Sequence, residues 1–204
     1  MIRAIIFDLG NVLINFDHRI ASQKLSKFTD TPEDKIYDIF FDSELTGLFE
    51  EGKISTLQFF SKVKQILNLG IEFDEFLPIW NEIFFFDEKN LSVYNLASSL
   101  KNRYRIALLS NINISHFEYI KRTFPILDAF HNIITSFEIG FRKPNPEIYQ
   151  KTLQAINSPA QDVFYTDDRL ELVKAANQLG IRSFVFKGHE QLKTDLINSG
   201  INIK

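Results

Sequence analysis

Short continuous runs of apolar residues recur along the chain, and amphipathic segments separate them. These runs predict four buried strands of a parallel sheet and a weaker fifth: Ala4–Phe7, Arg105–Leu109, Asp162–Tyr165 and Ser183–Phe186, with Asn132–Thr135 as the weaker one. Helical periodicity predicts four helices in this part of the chain: Asn90–Leu100, Ile114–Thr123, Pro146–Ile156 and Leu170–Leu179. Strands that alternate with helices indicate an α/β fold, with a doubly wound parallel sheet of the Rossmann-like kind.

Residues 16–86 interrupt this alternation, because their patterns predict helices only. Capping signals mark these helices: Thr31-Pro32 starts one, a Ser55–Gln58 capping-box pattern starts another that runs to Gly70, and a third spans Phe73–Phe85 with Pro78 inside it. We therefore expect an α/β core domain formed by residues 1–15 and 87–204. Residues 16–86 are expected to form an all-helical cap domain, inserted directly after the first strand.

Composition narrows the functional classes. Of the 204 residues, 45% are hydrophobic and 24% are charged, and the net charge of −3 is spread without a basic cluster that would attract nucleic acid. The chain has no cysteine, which excludes disulfides and cysteine-ligated zinc. The apolar runs are far shorter than the roughly 20 residues of a membrane span, and no leader precedes the first strand. We expect a cytoplasmic protein with neither a nucleic-acid nor a membrane partner.

Polar side chains follow three of the predicted strands where each ends. Asp8 comes directly after the first strand, Ser110-Asn111 end the second, and Asp167-Asp168 follow the third strong run. Lys143 stands just before a predicted helix. Because ligands of an open α/β sheet bind outside the carboxyl ends of its strands, we expect these groups to meet at one edge.

Each of these residues also has an ordinary structural interpretation. An aspartate after a strand is most often a helix N-cap, a Ser-Asn pair a turn, and a Lys-Pro pair part of a solvated loop. Together they favour chemistry, because clustered carboxylates repel one another unless a cation lies among them, and Mg²⁺ prefers oxygen ligands. The set indicates phosphoryl transfer, in which Asp8 attacks phosphorus while Mg²⁺ and Lys143 neutralise phosphate oxygens.

Four motifs in the same order resemble those of the haloacid dehalogenase-like hydrolase superfamily: "IIFDLGNVL", "LLSN", "RKP" and "YTDD". The resemblance covers nearly the whole chain, and the helical insertion looks like the cap of the first subclass. The chain is also similar to a bacterial branch of sugar-phosphate phosphatases, among them one that acts on α-glucose 1-phosphate. The resemblance implies a Mg²⁺-dependent phosphatase that hydrolyses a small phosphorylated metabolite, a sugar phosphate, through an aspartyl-phosphate intermediate.

The resemblance also implies roles for single residues. Asp8 would be the nucleophile, and Ser110, Asn111 and Lys143 would bind the phosphoryl group, with Ser110 and Lys143 also counted as catalytic.

For the metal, the implied ligands are Asp8, the backbone carbonyl of Gly10, and Asp168. Asp167, one residue earlier, is a further candidate for contact with the metal or with a water molecule bound to it.

Gly10 departs from the family pattern. Most phosphatases of the family carry a second aspartate there, which protonates the leaving group, whereas glycine offers only its carbonyl. Two alternatives therefore stay open: a haloacid dehalogenase-type hydrolase that needs no metal, and a capped binding or regulatory protein without turnover. Asp17 and Asp167 are candidates to replace the missing acid or base.

The cap sequence gives only candidates for substrate selection. Trp80 and Asn81 lie near the return of the cap to the core, and Asp17 and His18 lie near its start. For Trp80, and for most of the 21 phenylalanines, the leading interpretation is packing, with an apolar substrate pocket or a dimer face as the alternative for the phenylalanines. We expect a monomer or a homodimer.

Overall fold

A computed structural model of the chain describes residues 1–203, and for Asp42 it describes the backbone only. The described residues form seven strands: β1 Ala4–Phe7, β2 Asn15–Phe16, β3 Phe84–Phe85, β4 Arg105–Ser110, β5 Asn132–Thr135, β6 Val163–Asp167 and β7 Arg182–Val185. They also form eleven α-helices: α1 His18–Leu25, α2 Glu33–Asp42, α3 Glu44–Glu50, α4 Thr56–Leu67, α5 Phe73–Asn81, α6 Glu88–Leu100, α7 Ile114–Thr123, α8 Ser136–Ile139, α9 Pro146–Ala155, α10 Leu170–Gln178 and α11 His189–Asn198.

Five of the strands form one parallel sheet in the order β5-β4-β1-β6-β7. The first strand lies at the centre, and the chain builds outward from it on one side and then on the other. This is the doubly wound sheet that the sequence predicts, and the five predicted strands are confirmed to within two residues. The strand β6 runs two residues beyond its predicted end, because Thr166 and Asp167 continue to pair with β7.

Both faces of the sheet are buried, which explains the continuous apolar runs. Alternate residues of β1 enter different cores: Ile5 and Phe7 pack with side chains of α6, α7 and α11, whereas Ala4 and Ile6 pack with side chains of α9 and α10. A strand with an apolar side chain at every position therefore needs helices on both sides.

Helices α1 to α5 enclose an apolar cluster of their own, distinct from the two sheet cores. Its largest side chain, Trp80, is fully buried and packs against Phe40 and Phe59 at 4.8 Å between ring centroids. The packing interpretation of Trp80 is thus confirmed. Ser55 and Gln58 form the predicted capping box at the start of α4. Across residues 1–203, no helix combines the length and the apolar character that a membrane crossing requires.

Three details of the inserted segment differ from the prediction. The predicted helix Phe73–Phe85 is wrong beyond Asn81: Phe84–Phe85 form β3, which pairs antiparallel with β2, so the segment is not purely helical. The two short strands lie where the chain leaves the core and returns to it. Pro32, not Thr31, is the N-cap of α2. The helix α4 ends at Leu67, because Asn68 takes the left-handed conformation that stops it before Gly70.

Candidate active site

The central strands of the sheet bring the predicted polar residues together. In register, β1 lies between β4 and β6, and the amide of Asp8 donates to the carbonyl of Thr166 at 3.0 Å. Asp8 follows β1, Ser110 ends β4 and Asp167 ends β6. Their side chains are all nearly inaccessible to solvent. The expected meeting of strand ends is therefore confirmed.

Lys143 is the centre of this group. Its Nζ donates to Asp8 Oδ1 at 2.7 Å and to Asp167 Oδ2 at 2.6 Å. It also lies 3.2 Å from the carbonyl oxygen of Leu109 and 3.2 Å from the hydroxyl oxygen of Tyr165. The ammonium group is thus fully hydrogen-bonded although the residue is only 4% exposed, which is the condition under which a buried charge is tolerated.

Asn111 fixes the backbone of Lys143. Its side-chain nitrogen donates to the carbonyl of Lys143 at 2.9 Å, and the amide of Lys143 donates to Asn111 Oδ1 at 2.7 Å. Both polar ends of the carboxamide are therefore engaged. These contacts give the Asn111 side chain a positioning role toward Lys143, and phosphoryl binding by this residue stays a prediction.

Three carboxylates, those of Asp8, Asp167 and Asp168, each place an oxygen within 4.8 Å of the others. One ammonium group, that of Lys143, compensates one of the three negative charges. Among the described residues, Asp8 Oδ2 has no hydrogen-bond donor, and Asp168 is held by Asn11 through one oxygen at 2.9 Å. The oxygen-only donor set and its excess negative charge fit a hard divalent cation such as Mg²⁺.

Asp167 is the least available of the three. Its Oδ2 accepts from Lys143 and from the hydroxyl of Tyr165, and its Oδ1 accepts from the amide of Arg169 at 2.9 Å. It is fully buried, whereas Asp168 is only partly buried. This geometry favours Asp168 over Asp167 as the second carboxylate, beside Asp8, of a metal site.

Burial and charge set the protonation of the group. Burial raises the pKa of Asp8 to about 7, against the opposing charge of Lys143, and the neighbouring charge of Asp167 adds to the increase. Burial alone would also raise the pKa of Asp167, but the ammonium of Lys143 holds it below its ordinary value. Burial alone would lower the pKa of Lys143, whereas Asp167 and Asp8 raise it above its ordinary value. A nearby cation would favour the ionised form of Asp8.

The space at Gly10 is occupied by an aromatic ring. A Cβ atom at this position would lie 2.6 Å from Cε1 of Phe16, closer than any stable contact. The glycine is therefore a steric requirement of this arrangement. Of the candidate replacements for the missing acid, Asp17 is exposed and uses its carboxylate to cap α1 through the amide of Arg19.

A small cavity lies between the strand ends and the inserted helices. It encloses about 60 Å³, and its walls are Leu9, Gly10, Phe16, His18, Glu50, Ile83, Phe84, Ser110, Asn111, Ile112 and His116. Of the four residues that the sequence nominated for substrate selection, only His18 lies in this wall. Trp80 and Asn81 are buried in the interior, where Asn81 accepts from the hydroxyl of Ser115 at 2.7 Å.

The sequence patterns did not predict several residues of the site. Tyr165 had a recognisable signal, because it lies two positions before Asp167 on the same strand and therefore on the same face. Glu50 had no local signal: it reaches the cavity from α3 and pairs with Arg142 at 3.0 Å, a contact between distant parts of the chain. Phe16 and His116 likewise become visible only when the segments are packed.

Comparison with known proteins agrees with this geometry. The family model of haloacid dehalogenase-like hydrolases matches residues 2–180. D-ribitol-5-phosphate phosphatase from Bacteroides thetaiotaomicron is 25% identical over 90% of this chain and 91% of its own length. Drimenol cyclase from Aspergillus calidoustus is 28% identical over 97% of this chain, which spans only 36% of that longer protein.

One solved structure extends the likeness to the fold. A haloacid dehalogenase family enzyme from Bacteroides thetaiotaomicron, in complex with magnesium and inorganic phosphate, superposes with a TM-score of 0.80 at 24% identity. The match covers 92% of this chain and 95% of that one. The core sheet and the inserted helices are therefore a known combination.

The raised pKa of Asp8 predicts that its carboxylate destabilises the metal-free protein. The native state keeps a proton up to about pH 7 that the unfolded chain releases near pH 4, so stability is present at low pH and is lost as pH rises. As the pH rises from 5 to 8 in EDTA, the free energy of unfolding of Asp8→Asn is expected to increase relative to that of wild type by on the order of 1–3 kcal/mol. Urea unfolding at both pH values measures this gain.

In the native state Asp167 and Lys143 do not titrate between pH 5 and pH 8, because the pKa of Asp167 is lowered and that of Lys143 is raised, so the change across this range reports Asp8. The matched control is Asp30→Asn, which neutralises an exposed carboxylate and should follow the wild-type curve. A difference between Asp8→Asn and wild type that is the same at both pH values would contradict the prediction.

Proposed function

The chain belongs to the haloacid dehalogenase-like hydrolases, and from this membership and its site we propose that it is a Mg²⁺-dependent phosphatase of a small phosphorylated metabolite, a sugar phosphate. The observation that carries the proposal is the cluster of three carboxylates around one buried lysine. The phosphatase relative and the fold of the magnesium- and phosphate-bound enzyme support it. We also propose the domain division drawn from the sequence, a core of residues 1–15 and 87–204 and a cap of residues 16–86.

The proposed reaction has two steps. In the first, Asp8 Oδ2 attacks phosphorus, the bond between phosphorus and the alcohol oxygen breaks, and an aspartyl-phosphate forms while the departing oxygen takes up a proton. In the second, water attacks phosphorus, inorganic phosphate leaves and the carboxylate of Asp8 is restored. Lys143 holds Asp8 Oδ1, which leaves the other oxygen directed away from the ammonium.

The phosphoryl group would meet donors at the cavity floor. Ser110 ends β4 at the cavity wall and carries a hydroxyl that can donate to a phosphate oxygen. Lys143 compensates negative charge that develops during transfer. Asn111 acts on the same group indirectly, because it fixes the backbone of Lys143.

The residues that would hold Mg²⁺ are Asp8, the carbonyl of Gly10 and Asp168. When bound there, the ion would neutralise phosphate oxygens and favour the ionised form of Asp8. A halide-releasing reaction has no use for the additional carboxylates, and a binding protein has no need of a nucleophile beside a buried lysine. These features weigh against both alternatives.

The size of the cavity supports a small substrate. Pockets for drug-sized ligands span roughly 300–1,000 Å³, whereas this cavity encloses about 60 Å³. It has room for a phosphoryl group and the first atoms of the leaving alcohol. The polar side chains of His18, Glu50 and Ser110 in its wall can form hydrogen bonds with a hydroxylated substrate.

The proposed function predicts that Asp8→Asn abolishes release of phosphate from p-nitrophenyl phosphate and from a panel of sugar phosphates. The amide keeps the shape of the carboxylate but cannot form the aspartyl-phosphate. EDTA should silence the wild-type protein, and added Mg²⁺ should restore it, whereas Asp30→Asn should match wild type throughout. Undiminished activity in EDTA, together with chloride release from 2-chloropropionate, would favour the dehalogenase alternative, and no turnover of any substrate would favour the binding protein.

Substitutions of Asp167 and Asp168 are expected to differ in their effect on the Mg²⁺ dependence of the rate. Asp168→Ala should raise the Mg²⁺ concentration for half-maximal rate by at least tenfold, because it removes a proposed ligand. Asp167→Ala should act mainly on the maximal rate, because it removes the partner of Lys143. Titration of the rate with Mg²⁺ separates the two effects, and equal shifts or a larger shift for Asp167→Ala would reverse the assignment.

The absence of an acid at Gly10 predicts a preference for good leaving groups, such as those of anomeric sugar phosphates and acyl phosphates. Without a proton donor, the rate of phosphorylation of Asp8 should fall steeply across aryl phosphates as the phenol becomes less acidic. General acid catalysis is typically worth ~10²–10⁴ in rate, so the effect should be large for the poorest leaving groups. A rate of phosphorylation that does not depend on the acidity of the phenol would show that another acid is present.

The same series tests whether position 10 is the cause. Because Phe16 fills the space, an aspartate there needs room, so the variant of choice is Gly10→Asp combined with Phe16→Ala. Phe16→Ala alone is the matched control. The double variant should flatten the dependence on leaving-group acidity, whereas the control should keep it steep.

A further inference from the structure

Two imidazole rings line the cavity, and their hydrogen bonding differs. The Nδ1 atom of His116 lies 3.0 Å from the side-chain nitrogen of Asn113, and its Nε2 lies 2.9 Å from the carbonyl oxygen of Trp80. Asn113 is the donor in the first contact, so His116 carries its proton on Nε2 and donates to Trp80. Both nitrogens are thus engaged within the fold, and His116 has a structural role.

His18 has no such partners. Its ring packs against Phe16 at 5.4 Å and against Trp80 at 5.8 Å between centroids, which fixes its orientation at the start of α1. Its Nδ1 is buried without a hydrogen-bond partner among the described residues. Its Nε2 also has no protein partner among them but is not enclosed, so Nε2 is the nitrogen that a ligand can reach.

The ring of His18 is neutral at ordinary pH. Burial lowers the pKa of His18 to about 4, against the carboxylate of Asp17, which acts in the opposite direction. A neutral imidazole carries one proton, and we assign it to Nε2 because Nδ1 has no acceptor nearby. The cavity wall therefore presents an N–H donor that carries no charge.

We propose that His18 determines substrate specificity by donating a hydrogen bond from Nε2 to a hydroxyl group of the leaving alcohol. The proposal rests on the phosphatase function proposed above. The cavity extends from Gly10 and Ser110 at the strand ends to His18 and Glu50 of the inserted helices. Since it admits only the first atoms of the alcohol, the hydroxyl concerned is the one on the carbon next to the phosphoester carbon.

Glu50 makes the same wall suitable for a hydroxyl group. A hydroxyl both accepts and donates, and the carboxylate of Glu50, whose charge is balanced by Arg142, supplies an acceptor to complement His18. The substrate class is thus a phosphate monoester with a vicinal hydroxyl, as in a sugar phosphate. His18 does not replace the missing acid, because a neutral imidazole N–H is too weak an acid to protonate the departing oxygen.

The test compares α-D-glucose 1-phosphate with its 2-deoxy analogue, which lacks only the hydroxyl next to the phosphoester carbon. The readout is the ratio of their kcat/KM values in wild type and in three variants of the full chain. His18→Phe keeps the ring but removes both nitrogens, His18→Gln places an amide nitrogen near the position of Nε2, and His18→Asn places one near Nδ1. Because the intrinsic reactivity of the two esters is the same for every variant, it cancels.

We expect the preference for the hydroxylated ester to fall by about 5- to 30-fold in His18→Phe and His18→Asn, because each loses one hydrogen bond to a buried partner. His18→Gln should largely retain the preference. Either an unchanged ratio in His18→Phe or a better retention by Asn than by Gln would overturn the proposal. Should His18→Phe fail to fold, the comparison of Gln with Asn still decides the matter.

Hydrolysis of p-nitrophenyl phosphate by wild type separates this proposal from the proposed function. Wild-type turnover of p-nitrophenyl phosphate with no turnover of either glucose ester would overturn the role of His18 and leave the phosphatase in place. No Mg²⁺-dependent turnover of any of the three esters would overturn both.

Discussion

The ammonium group of Lys143, buried between Asp8 and Asp167, is the interaction on which the rest of the site depends. Removing one partner of a buried charge pair typically costs ~3–5 kcal/mol, because the other charge is left uncompensated. The lysine therefore holds the ends of β1 and β6 in register with the loop that carries it. That constraint fixes one oxygen of Asp8 and leaves the other without a hydrogen-bond donor among the described residues.

The single positive charge of Lys143 does not balance the three negative charges of Asp8, Asp167 and Asp168. Burial keeps the pKa of Asp8 near 7 when no cation is present, so its carboxyl group is only partly ionised at neutral pH. A divalent cation would supply the missing charge and ionise Asp8 in the same event. Carboxylates held close together without a cation cost the folded protein stability, which is a common property of sites built from like charges.

The sequence predicted those parts of the molecule whose signals are local. Continuous apolar runs identified the five core strands because both faces of the sheet are buried, and the carboxyl-end rule then grouped Asp8, Ser110 and Asp167 without any contact being known. The strand Phe84–Phe85 was missed because its pairing partner lies almost 70 residues away at Asn15–Phe16, and a two-residue strand has no periodicity to detect. The steric reason for Gly10 could not be predicted from the sequence either. Phe16 is close in sequence, but only in the folded chain does its ring occupy the space that a side chain at position 10 would need.

Arg142 and Lys143 are consecutive residues that contact different parts of the fold. Lys143 turns into the sheet toward Asp8, while its neighbour Arg142 extends to Glu50 at the end of α3. A Cβ atom at Gly47, one helical turn earlier, would lie 2.7 Å from the Arg142 guanidinium, so a larger residue there would require the guanidinium to shift. Two consecutive residues thus contact Glu50 in the cavity wall and Asp8 after β1. The contact of α3 with the core and the ion pair at Asp8 are therefore made by adjacent residues of one segment.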